Sequence, residues 1–128
     1  MKKIFIFLLL GFANIAFSDD FISEKKLLAI YIDNDLTVDI LHKNVSIPFE
    51  FKNIGIKEPA DFSFKVVAGM PGHGHGMPSN PFVVKNSNNE FVISGLTFTM
   101  PGDWVINLLV FSGEKEIDRV VVPLHIKL

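Results

Sequence analysis

Apolar and polar residues alternate along this chain in short runs, separated by clusters of turn-forming residues. Leu27 to Ile32 is a mostly apolar run that ends at Asp33-Asn34-Asp35. Leu36, Val38 and Ile40 then alternate with Thr37 and Asp39, the two-residue period of a half-buried strand. Ile47, Phe49 and Phe51 repeat that period against Pro48, Glu50 and Lys52, and Phe62, Phe64 and Val66 repeat it against Ser63 and Lys65. Further runs cover Pro81 to Lys85, Phe91 to Phe98, Trp104 to Phe111 and Val120 to Ile126. Gly, Asn, Asp and Pro fill the connections, as turns require.

No stretch carries the spacing of an amphipathic helix of three turns or more; Lys25 to Ile30 alone could form a helical turn. About seven short strands at this spacing predict an all-β fold, an immunoglobulin-like antiparallel β-sandwich. Trp104, the single Trp, opens an apolar run and is expected to be a core pin between the sheets.

The first residues read differently. Lys2 and Lys3 precede an apolar run from Ile4 to Ala13, and Ala16-Phe17-Ser18 offers small residues where a signal peptidase cuts. The run is short for a membrane-spanning helix, which needs roughly 20 residues, and Gly11 and Asn14 interrupt it. Residues 1–18 are therefore expected to be a signal peptide rather than an uncleaved anchor, and residues 19–128 the mature domain. The mature chain then has no membrane span, and a bacterial periplasmic or secreted location follows.

Removing that leader leaves 10 of the 12 Lys and Arg against all 14 Asp and Glu, so net charge moves from −2 to −4. A mildly acidic domain without a clustered basic face gives no reason to expect nucleic acid. With no cysteine there is no disulfide framework, no thiolate metal site and no thiol nucleophile. No nucleophile elbow, phosphate-binding glycine loop or dinucleotide fingerprint is present, so the chain is not expected to be an enzyme.

The unusual segment is Met70-Pro71-Gly72-His73-Gly74-His75-Gly76-Met77-Pro78, and Met-Pro-Gly returns at Met100-Pro101-Gly102. Pro-Gly suits the centre of a type II turn, so both sites are expected to be tight turns at strand ends. His73 and His75 are one residue apart. In extended chain they would project to one side, about 6.5–7 Å apart at Cα. Soft thioethers from Met70, Met77 and Met100 favour Cu(I), and two imidazoles also suit Cu(II), so a copper ion is the metal best matched to this set. Structural zinc normally takes four ligands and often cysteine. The alternative is an exposed His-Gly loop whose methionines only cap the core. His42 and His125 are expected to be ordinary sheet residues.

Asp33, Asp35, Thr37 and Asp39 carry the spacing of the first ligands of a calcium loop. Val38 and Asn44, however, stand where that loop needs Gly and Glu. Asn44-Val45-Ser46 matches a glycosylation sequon by chance spacing. The chain holds 13 Phe, four of them in the leader, and the others are expected to fill the core rather than to cradle an apolar ligand.

The Met70–Pro78 segment, followed by Phe91-Val-Ile-Ser-Gly-Leu-Thr-Phe-Thr-Met-Pro-Gly-Asp-Trp104, resembles the YtkA-like domain family over roughly residues 36–127. That resemblance implies a small exported immunoglobulin-like module, related in shape to FixH-like proteins linked to copper-oxidase assembly. It points to a copper-transport or oxidase-assembly protein as partner, although the mature chain has neither the membrane helix nor the fused domain of such factors. Two functions compete: copper handling by the Met/His loop, and a non-metal interaction module of an envelope or membrane complex.

Overall fold

The computed structural model describes residues 17–34, 40–57 and 62–127. The expected leader up to residue 16, the expected strand through Leu36 and Val38, and most of the calcium-like spacing lie outside the described residues. Among the described residues nine strands form two antiparallel sheets, giving the all-β sandwich that the alternation predicts. They are β1 (Phe17–Ile22), β2 (Leu28–Asn34), β3 (Asn44–Asn53), β4 (Phe62–Met70), β5 (His75–Gly76), β6 (Phe82–Lys85), β7 (Glu90–Thr97), β8 (Gly102–Ser112) and β9 (Lys115–Ile126). One sheet runs β1-β2-β3-β7-β6 and the other β5-β4-β8-β9.

Alternation of burial along the strands explains the stacking. In β3, Val45, Ile47, Phe49 and Phe51 face inward, while the residues between them face solvent. In β9, Val120, Val122, Leu124 and Ile126 do the same. At one end Phe49, Phe51, Phe62, Phe64 and Phe91 form a ring cluster with centroids 4.6–6.1 Å apart, in stacked and edge-to-face pairs. At the other end Trp104 is 0% exposed and meets Phe98 edge-to-face at 5.2 Å, the core pin expected of it. Pro123 interrupts an otherwise apolar strand without cost because β9 is an edge strand.

Four local expectations give way. Lys25 to Ile30 does not begin a helical turn; Lys26 takes a left-handed φ of 61° in a turn, and β2 starts at Leu28. His42 is not a sheet residue but turns the chain with φ 62° after the isolated Leu41–Phe98 bridge. The sandwich also has more strands than seven, because β1 and β5 each pair with a neighbour despite lacking a clear apolar pattern. β1 begins at Phe17, two residues ahead of the expected mature start. The fourth, at Pro71-Gly72, belongs to the candidate site.

One polar residue occupies a core register position. Asp118 points inward from β9 and is 3% exposed. Its carboxylate accepts the N–H groups of Lys25 at 2.9 Å, Leu27 at 3.2 Å and Arg119 at 2.8 Å. Burial pushes this carboxyl up, but the hydrogen bonds from Ser23, Lys25, Arg119 and Leu27 outweigh it and hold the group below the ordinary carboxylate range. Ser23, itself buried, accepts from the N–H of Leu27 and Leu28. The β1–β2 turn is thereby fastened to β9 of the opposite sheet, with Glu24 N–H donating to Arg119 O at 2.9 Å. Among the described residues no helix is long and apolar enough to cross a membrane.

Candidate metal centre

β4 ends at Met70, and the proline that follows cannot continue its ladder. Pro71–His73 form a single 3-10 turn instead of the expected type II turn. The residue with positive φ is Gly74 (φ 68°, ψ 24°) rather than Gly72, and its N–H donates to Pro71 O at 3.2 Å. Proline presets a helical φ and the left-handed glycine reverses the chain, so β5 pairs back along β4 with Met70 opposite His75 and Gly69 opposite Gly76. Met77 N–H continues the ladder to Ala68 O at 3.1 Å. A Cβ at Gly69 would stand 2.8 Å from His75 O, so the hairpin closes only because that position has no side chain.

The hairpin presents both histidines. All residues from Pro71 to Gly76 are exposed. The rings of His73 and His75 have centroids 6.0 Å apart with 50° between their planes. His75 Nδ1–H donates to Gly76 O at 2.9 Å, since a carbonyl oxygen can only accept, and the lone pair of this tautomer is then on Nε2. Histidines that bind metals characteristically make this kind of bond through their other nitrogen.

The three sulfur atoms divide. Met70 is 0% exposed and packs in the core, with its methyl 3.0 Å from where a Gly102 Cβ would sit. Met77 is half-buried, and its sulfur accepts the Thr97 N–H at 3.2 Å, joining the hairpin's exit to β7 of the other sheet. Met100 is half-buried, and its carbonyl oxygen accepts Trp104 Nε1–H at 3.0 Å. The same indole meets the His75 ring at 5.9 Å with 76° between planes. His75 and Met100 therefore flank one buried tryptophan. At the second Met-Pro-Gly the chain bends without closing the expected tight turn: Gly102, with φ 125°, is already the first residue of β8.

His125 does lie in a strand, as expected, on the outer face of β9, where it meets Asp103 at 2.7 Å. Both side chains are largely exposed, so the contact adds little to stability. Among the described residues no group of three or more His, Asp or Glu could hold a metal ion. Sequence reasoning missed the indole's bond to Met100 and the closing role of Gly69, since neither leaves a mark in residue spacing. The resemblance to YtkA-like domains rests on the two Met-Pro motifs alone, for comparison with family models, curated proteins and solved structures finds no match to this chain.

Proposed function

We propose that this chain is an exported copper-handling accessory protein that binds the ion on the β4–β5 hairpin through His73 and His75, with Met100 beside them. The observation that carries this reading is the imidazole pair itself. With a metal–nitrogen distance of about 2.0–2.1 Å, each ring centre lies roughly 3 Å from a shared ion, so a 6.0 Å separation is within reach of one metal. The Nδ1–H bond of His75 supports it further, by freeing Nε2 for a ligand. Exposure of the tip suits delivery to a copper-transport or oxidase-assembly protein, which would supply the remaining donors.

Trp104, the single Trp of the chain and a neighbour of His75, is a built-in reporter. Copper titration of the full chain should quench its fluorescence at one equivalent. The double change His73→Ala/His75→Ala should abolish both quenching and uptake; unchanged uptake in that variant ends the copper reading.

A second reading is docking of an envelope protein along β6. It is favoured by Phe82 and Val84, both exposed on a four-residue strand at the free edge of its sheet. Crosslinked envelopes should then yield a partner under chelation, lost on Phe82→Lys.

A further inference from the structure

We infer that the outer face of the β5-β4-β8-β9 sheet is a self-complementary surface that pairs with a second copy of this chain across a two-fold axis. β8 is apolar on both of its faces. Its alternate residues from Trp104 to Val110 fill the core. The residues between and beyond them on the outer face are Val105, Asn107, Leu109 and Phe111, of which Asn107 alone is polar. A near-continuous apolar run is the pattern of a strand covered on both sides; a half-solvated strand alternates, as β3 does with Glu50 and Lys52 outward. The neighbouring strands extend the patch. Val67 of β4 and Val121 of β9 stand on either side of Asn107, and Pro123 stands opposite Val105. Val67 is 57% exposed and Val121 40%. Among the described residues the one layer packed on β8 is the other sheet, and it covers the inner face.

Charge identifies the occupant. At one end of the patch Lys65 and Arg119 flank Leu109 from the two neighbouring strands. Lys65 lies across this face, with its Nζ 4.7 Å from the centre of the Phe111 ring, and Arg119 is 42% exposed with Glu116 beside it at 3.2 Å. At the other end Asp103 is 88% exposed, beside His125. Leu109 and Asp103 are six residues apart on β8, about 20 Å, with Ile106 midway. A two-fold axis crossing the strands at the level of Ile106 lays Asp103 of each copy over Leu109 of the other, between Lys65 and Arg119. The apolar middles then cover one another. One patch serves both copies, as a closed two-fold interface requires. Pairing along the free edge of β9 is the poorer route, because Pro123 has no N–H to give a further strand.

Sedimentation of the full chain from micromolar to millimolar concentration should show monomer and dimer in exchange and no larger species, since a two-fold contact closes on itself. Val121→Lys puts a charge in the middle of the face without touching the core, and should weaken the dimer at least about tenfold. Arg119→Glu and Asp103→Arg, both at exposed positions, should each weaken it about fivefold or more, because the contact is made twice per dimer. An equimolar mixture of these two variants should pair again, for in the mixed dimer position 119 of each copy meets an opposite charge at position 103 of the other. A chain that stays monomeric throughout, or a dimer indifferent to Val121→Lys, overturns the inference. Failure of the mixed variants to pair overturns the two-fold arrangement. A monomer that instead floats with phospholipid vesicles, or crosslinks through this face to a different protein, gives the surface to another occupant and overturns it as well.

Discussion

Gly69 and His75 approach so closely across the β4–β5 hairpin that a methyl group on the glycine would lie 2.8 Å from the histidine's carbonyl oxygen. The obstacle is backbone and cannot rotate away. Gly69→Ala should therefore push β5 off β4 while leaving the rest of the sandwich in place. The expected cost is about 1–3 kcal/mol, as for other insertions into packed sites. Copper affinity should fall with it. Thermal melts and a copper titration of the same variant check both halves.

A second glycine tests the neighbouring bend. Gly102 has φ 125°, and a Cβ there would meet the Met70 methyl at 3.0 Å. Gly102→Ala combines an unfavourable backbone, on the order of 1–3 kcal/mol, with milder crowding in the core. The urea midpoint should drop chiefly through the strained backbone, because the Met70 methyl ends a flexible side chain that needs to yield only a few tenths of an ångström.

Trp104→Phe removes the indole's donor together with part of its packing. The change removes the donor to Met100 O and leaves a cavity, at an expected cost of about 2–4 kcal/mol. Copper affinity should weaken although both histidines remain, since Met100 loses the bond that holds its backbone. Chelator competition measures that without the lost fluorophore.

Acid stability should depend on Asp118. Its carboxyl titrates below the ordinary range in the folded chain, so it binds protons less readily there than when unfolded. The stability it contributes is complete above the ordinary carboxylate range and is lost as pH falls toward the lowered value. Asp118→Asn keeps one acceptor but brings an NH2 group against N–H donors, and should cost about 2–3 kcal/mol at neutral pH. The loss should shrink on acidification; urea midpoints of both proteins from neutral to strongly acidic pH check this. Parallel curves would assign the acid dependence to other groups.

How far residue order revealed the molecule depends on what decided each element. β3 and β7 to β9 were legible because one face is buried and the other wet, which prints a period of two onto Val45 to Phe51 and Val120 to Ile126. β5 was not, since two exposed residues carry no pattern; it pairs because Gly69 lets the two backbones meet. β1 mixes aspartates with apolar residues and is recruited by pairing with β2. Asp118 broke the reading in the opposite sense, as an acidic residue at an inward position made acceptable by amide donors 91 and 93 residues away. At the candidate site the two imidazoles were legible from their spacing. The burial of Met70 was not, because an extended strand end presents alternate residues to core and solvent without announcing which.

Met77 has a consequence for binding kinetics. Its sulfur ties the hairpin's departing strand to β7, while the arriving strand, β4, is paired with β8, so both feet of the loop are clamped. Folding has already restricted the segment before any ion arrives, and capture need not wait for it to order. Uptake should then be fast and nearly free of a conformational penalty, and exchange between proteins would be limited by ligand substitution at the ion.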